Sequence, residues 1–391
     1  MPDIFISRQP LINRQNRILA NRINLHAPGG ATPRGVLGAL QVLGDDWPAN
    51  ERPVFLNGGG ISWDPELFEG NLPANATFEL PGSAFAAPDA AALVSRLQSA
   101  QASLCLMVDE HAQSAFSSGV AFRFIGLDAK RFPPSQMKTL AAQTQPYGIG
   151  VAFNVADRQA FQDCLNAGLN AVASWFFKEP SGAPAKTINP GQARIIQIMN
   201  LVRKNAEVKE IEAALKQDVT LSYKLLRYIN SAGFGLSCEI QSFRHAVTIL
   251  GYEKLNKWLS LLLATASKDP MAQAQMHTAL FRARLMEILG QGLVDPNEYD
   301  NLFITGAFSM LEVLLGISMD KVLETMSLPE SICDALLGRG GVYGPFLDLA
   351  IACEGEDGKA IASQAGMLGL SGEAFNQAQM KALSFAETVQ I

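Results

Sequence analysis

The stretch KEPSGAPAKTINPGQ, residues 178–192, holds three prolines and two glycines and no periodic apolar pattern. Proline lacks the amide hydrogen that helices and sheets use, and glycine weakens both. Such a stretch interrupts regular structure and reads as a linker. It constrains the fold strongly, because the patterns on its two sides differ in kind. The expected division is residues 1–180, a linker at 181–192, and residues 193–391.

Before the linker, RPVFLN, TFEL, SLCLMV, FRFIGL and GIGVAF read as strands, each bounded by glycine, proline or polar residues. GVLGALQVL, DAAALVSRLQSA, PSQMKTLAAQT and RQAFQDCLNAG read as helices, with leucine or alanine faces at spacings of three and four. Strand then helix, repeated, argues for parallel βα units and an α/β fold. The units suffice for a barrel, in which chemistry sits at the C-terminal ends of the strands. Asn57, Glu79 and Asp109 fall at or next to such ends.

After the linker, strand signals nearly vanish. QARIIQIMNLVRKN, VKEIEAALKQD, TLSYKLLRYINSA, SFRHAVTILG and EKLNKWLSLLLATAS are amphipathic, and further helices are expected around 271–289, 300–316, 319–326 and 329–338. Gly251 and Gly316 mark helix stops, and Pro329 lies just inside a helix start. This half is all-α. No period of 20–50 residues repeats, which argues against a solenoid.

Composition supports two folded domains. A chain of 391 residues exceeds the usual size of one core, and 48% hydrophobic with 17% charged residues is a globular composition. A net charge of −6 argues against a broad nucleic-acid footprint. WLSLLLATA is far short of the roughly 20 apolar residues that span a bilayer. MPDIFISRQP lacks the layout of a signal peptide, so a cytoplasmic protein is expected. The five cysteines (Cys105, Cys164, Cys238, Cys333 and Cys353) are scattered without a CxxC pair and read as buried free thiols.

The segment LCLMVDEH, residues 104–111, is an apolar run ending in two carboxylates and an imidazole. It fits a buried strand handing Asp109, Glu110 and His111 to a metal ion, and equally a strand followed by a solvated turn. The glycine-rich LNGGGIS lacks both a P-loop lysine and GxGxxG spacing, so a loop without phosphate chemistry is the reading. Arg203, Lys204, Lys209, Lys216, Lys224 and Arg227 are interleaved with acids and form a solvated face.

Several of these segments carry a family resemblance. IFISRQPLINRQNRILANRINLH looks like the first strands of EAL-type cyclic-di-GMP phosphodiesterase domains, and GVAFNVADRQAFQDCLNAGLNAVASWFFKEP is similar to their closing segment. EIEAALKQDVTLSYKLLRYINSAGFGLSCEIQSFRHAVTILG resembles the HDOD signature, with Asp218, Asn230, Ser231 and Gly251 at its pattern positions. The resemblance implies a TIM-like, EAL-type α/β barrel followed by an all-α HDOD domain.

EAL catalysis, as the family is understood, uses two divalent cations held by oxygen ligands. Carried over by resemblance, Asn57, Glu79, Asp109 and Glu110 match ligand positions, with Glu110 one carbon longer than the family's aspartate. The name-giving glutamate is replaced by Arg22, the lysine by Gly126, the late glutamate by Phe153 and a glutamine by Ala173. Arg22 changes the charge at its position by about two units and places a permanent cation where a metal would sit. Pairing of Arg22 with Glu79 or Asp109 is the expected substitute.

The sequence has no adjacent His-Asp pair for HD-type metal chemistry: His26, His111, His245 and His277 are followed by Ala, Ala, Ala and Thr. His245 therefore reads as a helix residue, not a ligand. Asn230 and Ser231 read as a helix end, with a partner contact as the sharper alternative.

The expectation is a non-catalytic bacterial signalling adaptor that holds protein partners in cyclic-di-GMP-linked or motility control, with no cofactor and no bound metal. A cyclic-di-GMP receptor or residual phosphodiesterase is the alternative, and a nucleotide- or nucleic-acid-binding regulator a second. The partner, the input signal and the oligomeric state are left open by the residues.

Overall fold

Two long strands open the chain as a hairpin, β1 (Phe5–Asn13) and β2 (Ile18–His26). The side-chain oxygen of Asn13 accepts from the amides of Gln15 and Arg17, each at 3.0 Å, and so builds the turn. Asn16 enters the left-handed region at φ +59°, which asparagine tolerates better than most residues. The computed structural model describes residues 4–30, 52–59, 75–99, 102–179, 190–216, 251–257, 259–260, 262–263 and 269–389, with positions 36, 38, 39, 47 and 188.

The strands read from sequence follow as β3 (Val54–Asn57), β4 (Ala76–Pro81), β5 (Ser103–Met107), β6 (Phe124–Asp128) and β7 (Ile149–Phe153). A short β8 (Ala171–Ala173) completes a closed barrel in the order β1 to β8. From β2 onward neighbours are parallel, as alternating strands and helices require. β1 departs from that expectation and runs antiparallel to both β2 and β8, because a four-residue turn cannot make a parallel crossover. Helices Ala90–Ser99, Pro134–Thr144 and Arg158–Asn166 fall on the predicted segments. The last starts at Asp157, whose carboxylate accepts from the Ala160 amide at 2.8 Å. The expected helix in GVLGALQVL lies largely outside the described residues.

Alternate residues of each strand point into the barrel. Leu11, Ala20, Phe55, Cys105, Phe124, Val151, Phe153, Ala171 and Ala173 fill its lower lumen. Phe55 packs tilted against Phe124 at 4.8 Å and edge-on to Phe153 at 5.9 Å between ring centroids.

β8 pairs only with Leu11–Asn13, so the first half of β1 has a second edge without a strand partner. C-terminal residues seal it. The amide of Arg8 donates to Cys353 O at 2.8 Å, Ile6 N donates to Asn376 Oδ1 at 3.0 Å, and Asn376 Nδ2 donates to Ile4 O at 2.8 Å. The chain accordingly divides into two compact units that are not contiguous in sequence. One comprises Met1–Phe177 with Ala352–Ser363 and Ser371–Asn376; the other comprises Lys178–Ile351, Gln364–Leu370 and Gln377–Ile391. The break at Phe177 meets the linker. The single block 193–391 expected from sequence is revised, because an open β1 edge draws later segments to the barrel.

The second unit is helical among its described residues. It includes Pro190–Arg203, Val208–Lys216, Ala272–Leu289, Tyr299–Phe308 and Glu330–Gly338. Helices Ala272–Leu289 and Tyr299–Phe308 touch through Gly306, where a β-carbon would lie 2.6 Å from Cα of Ala283. Gly251 has φ +72° and Gly316 φ +68°, the left-handed geometry of helix ends; residues 251–257 are nonetheless helical, so Gly251 is not solely a stop. Pro329 is the N-cap residue before Glu330, one position outside the helix. Two helices not read from sequence, Gly358–Met367 and Gly372–Thr388, start after Asp357 and Ser371. Both cap residues accept from amides of their first turns, Ala360 N at 3.1 Å and Ala374 N at 3.2 Å.

Candidate functional site

The C-terminal mouth of the barrel is where sequence placed the chemistry. Arg22 lies on β2, two residues past the luminal Ala20, and Glu79 lies on β4 beside the luminal Cys105 on β5. Both side chains therefore meet inside the barrel. Nε of Arg22 donates to Oε1 of Glu79 at 2.7 Å and Nη2 to Oε2 at 2.6 Å, a bidentate fork. The side chains are 5% and 2% exposed, so each charge depends on the other for compensation. Burial opposes the charge on Arg22, but the Glu79 carboxylate outweighs it and holds the guanidinium above its ordinary value. Burial, and then Glu79, push the Cys105 thiol well above its usual range, which leaves it an inert core residue.

The replaced positions act as a set. The guanidinium of Arg22 lies over the ring of Phe153, 4.4 Å from its centroid. That ring occupies the space beside Gly126: a β-carbon there would lie 2.8 Å from Cε2 of Phe153 and would also strike Sδ of Met107. Gly126, Phe153 and Arg22 are thus mutually fitted. Ala173, fully buried in the same luminal cluster, leaves room for the rings.

The four carried-over ligand positions go to four different partners. Glu79 holds Arg22. Asn57 Nδ2 donates to Asn24 Oδ1 at 2.8 Å, and Asn24 Nδ2 donates to Ser7 Oγ at 3.3 Å. Asp109 accepts from two backbone amides, Ser83 N at 2.8 Å and His111 N at 2.9 Å. Gly82 makes room for that carboxylate, because a β-carbon would collide with Oδ1 of Asp109. Glu110 is exposed and pairs with Arg131. His111 is exposed as well. LCLMVDEH is therefore a strand, Ser103–Met107, followed by a turn that Asp109 organises. Among the described residues no group of three or more His, Cys, Asp and Glu is placed to hold a metal ion. A divalent cation does not fit the fork, since a guanidinium already satisfies the carboxylate that would bind it.

Sequence reasoning did not single out His26 or Ser7. Nε2 of His26 lies 2.8 Å from Oγ of Ser7 at the rim. Burial lowers the imidazole below its usual value, while Glu356 and Asp357 pull it upward. The period-two placement of Ser7 and His26 with Leu11 and Ala20 was the available signal.

The helical unit carries its own charged cluster. Nζ of Lys257 donates to Glu287 and, at 3.2 Å, to Asp300, and it lies 4.1 Å from the ring centroid of Phe303. Arg284 Nη1 completes the group on Glu287 at 2.6 Å. Tyr343 is fully buried and donates to Glu298. His277 is buried 3.4 Å from Glu387. Asp218, Asn230, Ser231 and His245 lie outside the described residues. Cys105, Cys164, Cys333 and Cys353 are free thiols, and no helix among the described residues is long and apolar enough to cross a membrane.

Residues 190–306 match the HDOD domain model, so the helical half contains an HDOD domain. Two relatives share about a quarter of their residues with the chain. The cyclic di-GMP phosphodiesterase CdgJ of Vibrio cholerae is 26% identical over 240 residues, covering 61% of this chain and 56% of CdgJ. YuxH of Bacillus subtilis is 25% identical over 214 residues, covering 52% of each. The chain thus spans about half the length of the relatives it matches. Among solved structures, the FimX EAL domain from Pseudomonas aeruginosa bound to c-di-GMP is 13% identical, with a TM-score of 0.35, over 46% of this chain and 91% of that one. The EAL domain of Mycobacterium smegmatis DcpA is 14% identical with a TM-score of 0.36, over 44% and 90%. The described residues thus form a closed eight-stranded barrel, and the HDOD match begins after it, at residue 190.

Proposed function

We propose that this chain is a non-catalytic regulator of the EAL–HDOD type, acting by holding protein partners in a cyclic-di-GMP-linked or motility pathway. The observation that carries this reading is the Arg22–Glu79 fork against the Phe153 ring. Metal-assisted phosphodiester hydrolysis needs several oxygen ligands converging on a hard cation, with a water held against the phosphorus. Here the candidate oxygens are committed elsewhere: those of Glu79 to a guanidinium, that of Asn57 to the Gly59 amide at 3.1 Å, those of Asp109 to a turn and that of Glu110 to an exposed arginine. The fork supplies the electrostatic balance that a metal would give, and it supplies no nucleophile. The HDOD half adds no His-Asp pair to compensate. The barrel then serves as a rigid scaffold, and the link to cyclic-di-GMP comes from the resemblance and from the name of CdgJ.

That relative also motivates the competing reading of residual phosphodiesterase activity, and one set of measurements separates the two. Full-length protein is assayed for cyclic-di-GMP hydrolysis with Mn²⁺, and Mn²⁺ binding is followed by calorimetry. No turnover and no micromolar metal site are expected. Turnover that disappears in Asp109→Ala would overturn the proposal. Affinity purification from the native host then identifies the partner.

A further inference from the structure

The acidic stretch Cys353–Gly358 (CEGEDG) lies with the barrel and meets its C-terminal mouth at two opposite sides. On one side, Cys353 O accepts from the amide of Arg8 on β1 at 2.8 Å. Gly358 lies against His26 at the end of β2, so closely that a β-carbon would sit 2.5 Å from Cβ of the histidine. On the other side, Oε2 of Glu356 lies 3.3 Å from Nζ of Lys130, two residues beyond the end of β6. In the closed order, β2 and β6 stand four strands apart and face each other across the lumen. The stretch therefore begins and ends on the β1–β2 side, and the side chain of Glu356 reaches across toward the β6 side. Cys353 and Glu354 are buried, Asp357 fixes the C-terminal end of the stretch by capping helix Gly358–Met367, and Asn376 fastens a further turn of chain to β1.

The charges match this placement. Glu356 acts on Arg22 inside the mouth, and Glu356 and Asp357 both act on His26 at the rim. The strap thus brings carboxylates to an opening whose wall carries His26 and Lys130 together with the amides of Asn24 and Asn57, beside the buried Arg22–Glu79 fork. We propose that Cys353–Gly358 is a built-in anionic occupant of the barrel mouth, and that an external phosphodiester anion and the strap exclude each other. The strap does not depend on the absence of catalysis, so it stands apart from the reading of the fork.

The test uses the full chain and the substitution Gly358→Val, which forces the strap away from His26. Hydrogen exchange of the Arg8 amide reports the strap directly, because that amide is held by Cys353 O. Calorimetry with cyclic-di-GMP as the phosphodiester probe reports the mouth. Gly358→Val is expected to speed Arg8 exchange at least tenfold and to tighten probe binding at least tenfold over the parent chain. The double variant His26→Gly/Gly358→Val removes the collision and is expected to restore slow exchange of the Arg8 amide, which a misfolded single variant would not allow. Fast exchange without a gain in binding overturns the proposal. So does probe binding to the parent chain with the Arg8 amide still protected. Binding without hydrolysis leaves the non-catalytic reading intact, so the two can fail separately.

Discussion

At the scale of single residues, the fork between Arg22 and Glu79 makes the sharpest prediction. Glu79→Ala leaves a buried guanidinium without its carboxylate and is expected to cost about 3–5 kcal/mol in urea denaturation. Arg22→Met with Glu79→Leu removes both charges and is expected to recover most of that loss. A single variant as stable as the parent would show that the pair is not closed in solution. His26 makes a second prediction, in pH. Burial holds the folded imidazole below its ordinary value, despite the upward pull of Glu356 and Asp357. The unfolded chain therefore takes up the proton first. The stability this group contributes is present above about pH 6.5 and is lost as pH falls from there through the folded value. Urea midpoints between pH 7.5 and 5 should fall less steeply in His26→Asn than in the parent. The pairing was reached through the resemblance: an arginine at a position where the resemblance implies a carboxylate has to find an acid, and Glu79 was one of two candidates. Asp109 was not legible, because its role rests on amides of Ser83 and His111 that only the folded turn presents. The mutual fit of Gly126 with Phe153 was equally hidden, since it joins neighbouring strands through space.

At the scale of elements, β3 to β7 and their helices were readable because short apolar runs and three-four periodicities are local. β1, β2 and β8 were reached through the resemblance alone. β8 has three residues, too few to show alternation. The helices after residue 357 were missed although Asp357 and Ser371 are ordinary cap residues, because their faces are rich in alanine and glutamine and carry little contrast. Close helix contact was equally unreadable. Gly306 lets helix Tyr299–Phe308 approach the backbone of Ala283, and no local pattern distinguishes such a glycine from a helix breaker. Gly306→Val is expected to destabilise the helical unit by about 1–3 kcal/mol or more through overpacking, read as a lower thermal midpoint. An unchanged midpoint would mean that the two helices do not meet there.

At the scale of the whole molecule, the units are interleaved in sequence, and the barrel is sealed by residues from the far end of the chain. A fragment ending at residue 177 keeps all eight strands but exposes Ile4, Ile6 and Arg8 along one edge of β1. Open edges of this kind recruit other strands. That fragment is expected to associate or precipitate at concentrations where the full chain stays dispersed, as measured by light scattering. Separating residues 352–376 from the barrel in any deletion series should do the same. The bond between Ile6 and Asn376 also has a consequence in time. Its partners stand 370 positions apart, so during translation the first strand emerges long before the residue that finishes its edge. At 5–20 residues per second the interval is roughly 20–75 s. Through that interval the nascent barrel carries an open seam on the ribosome, and a chaperone able to shield an extended strand would find its substrate there.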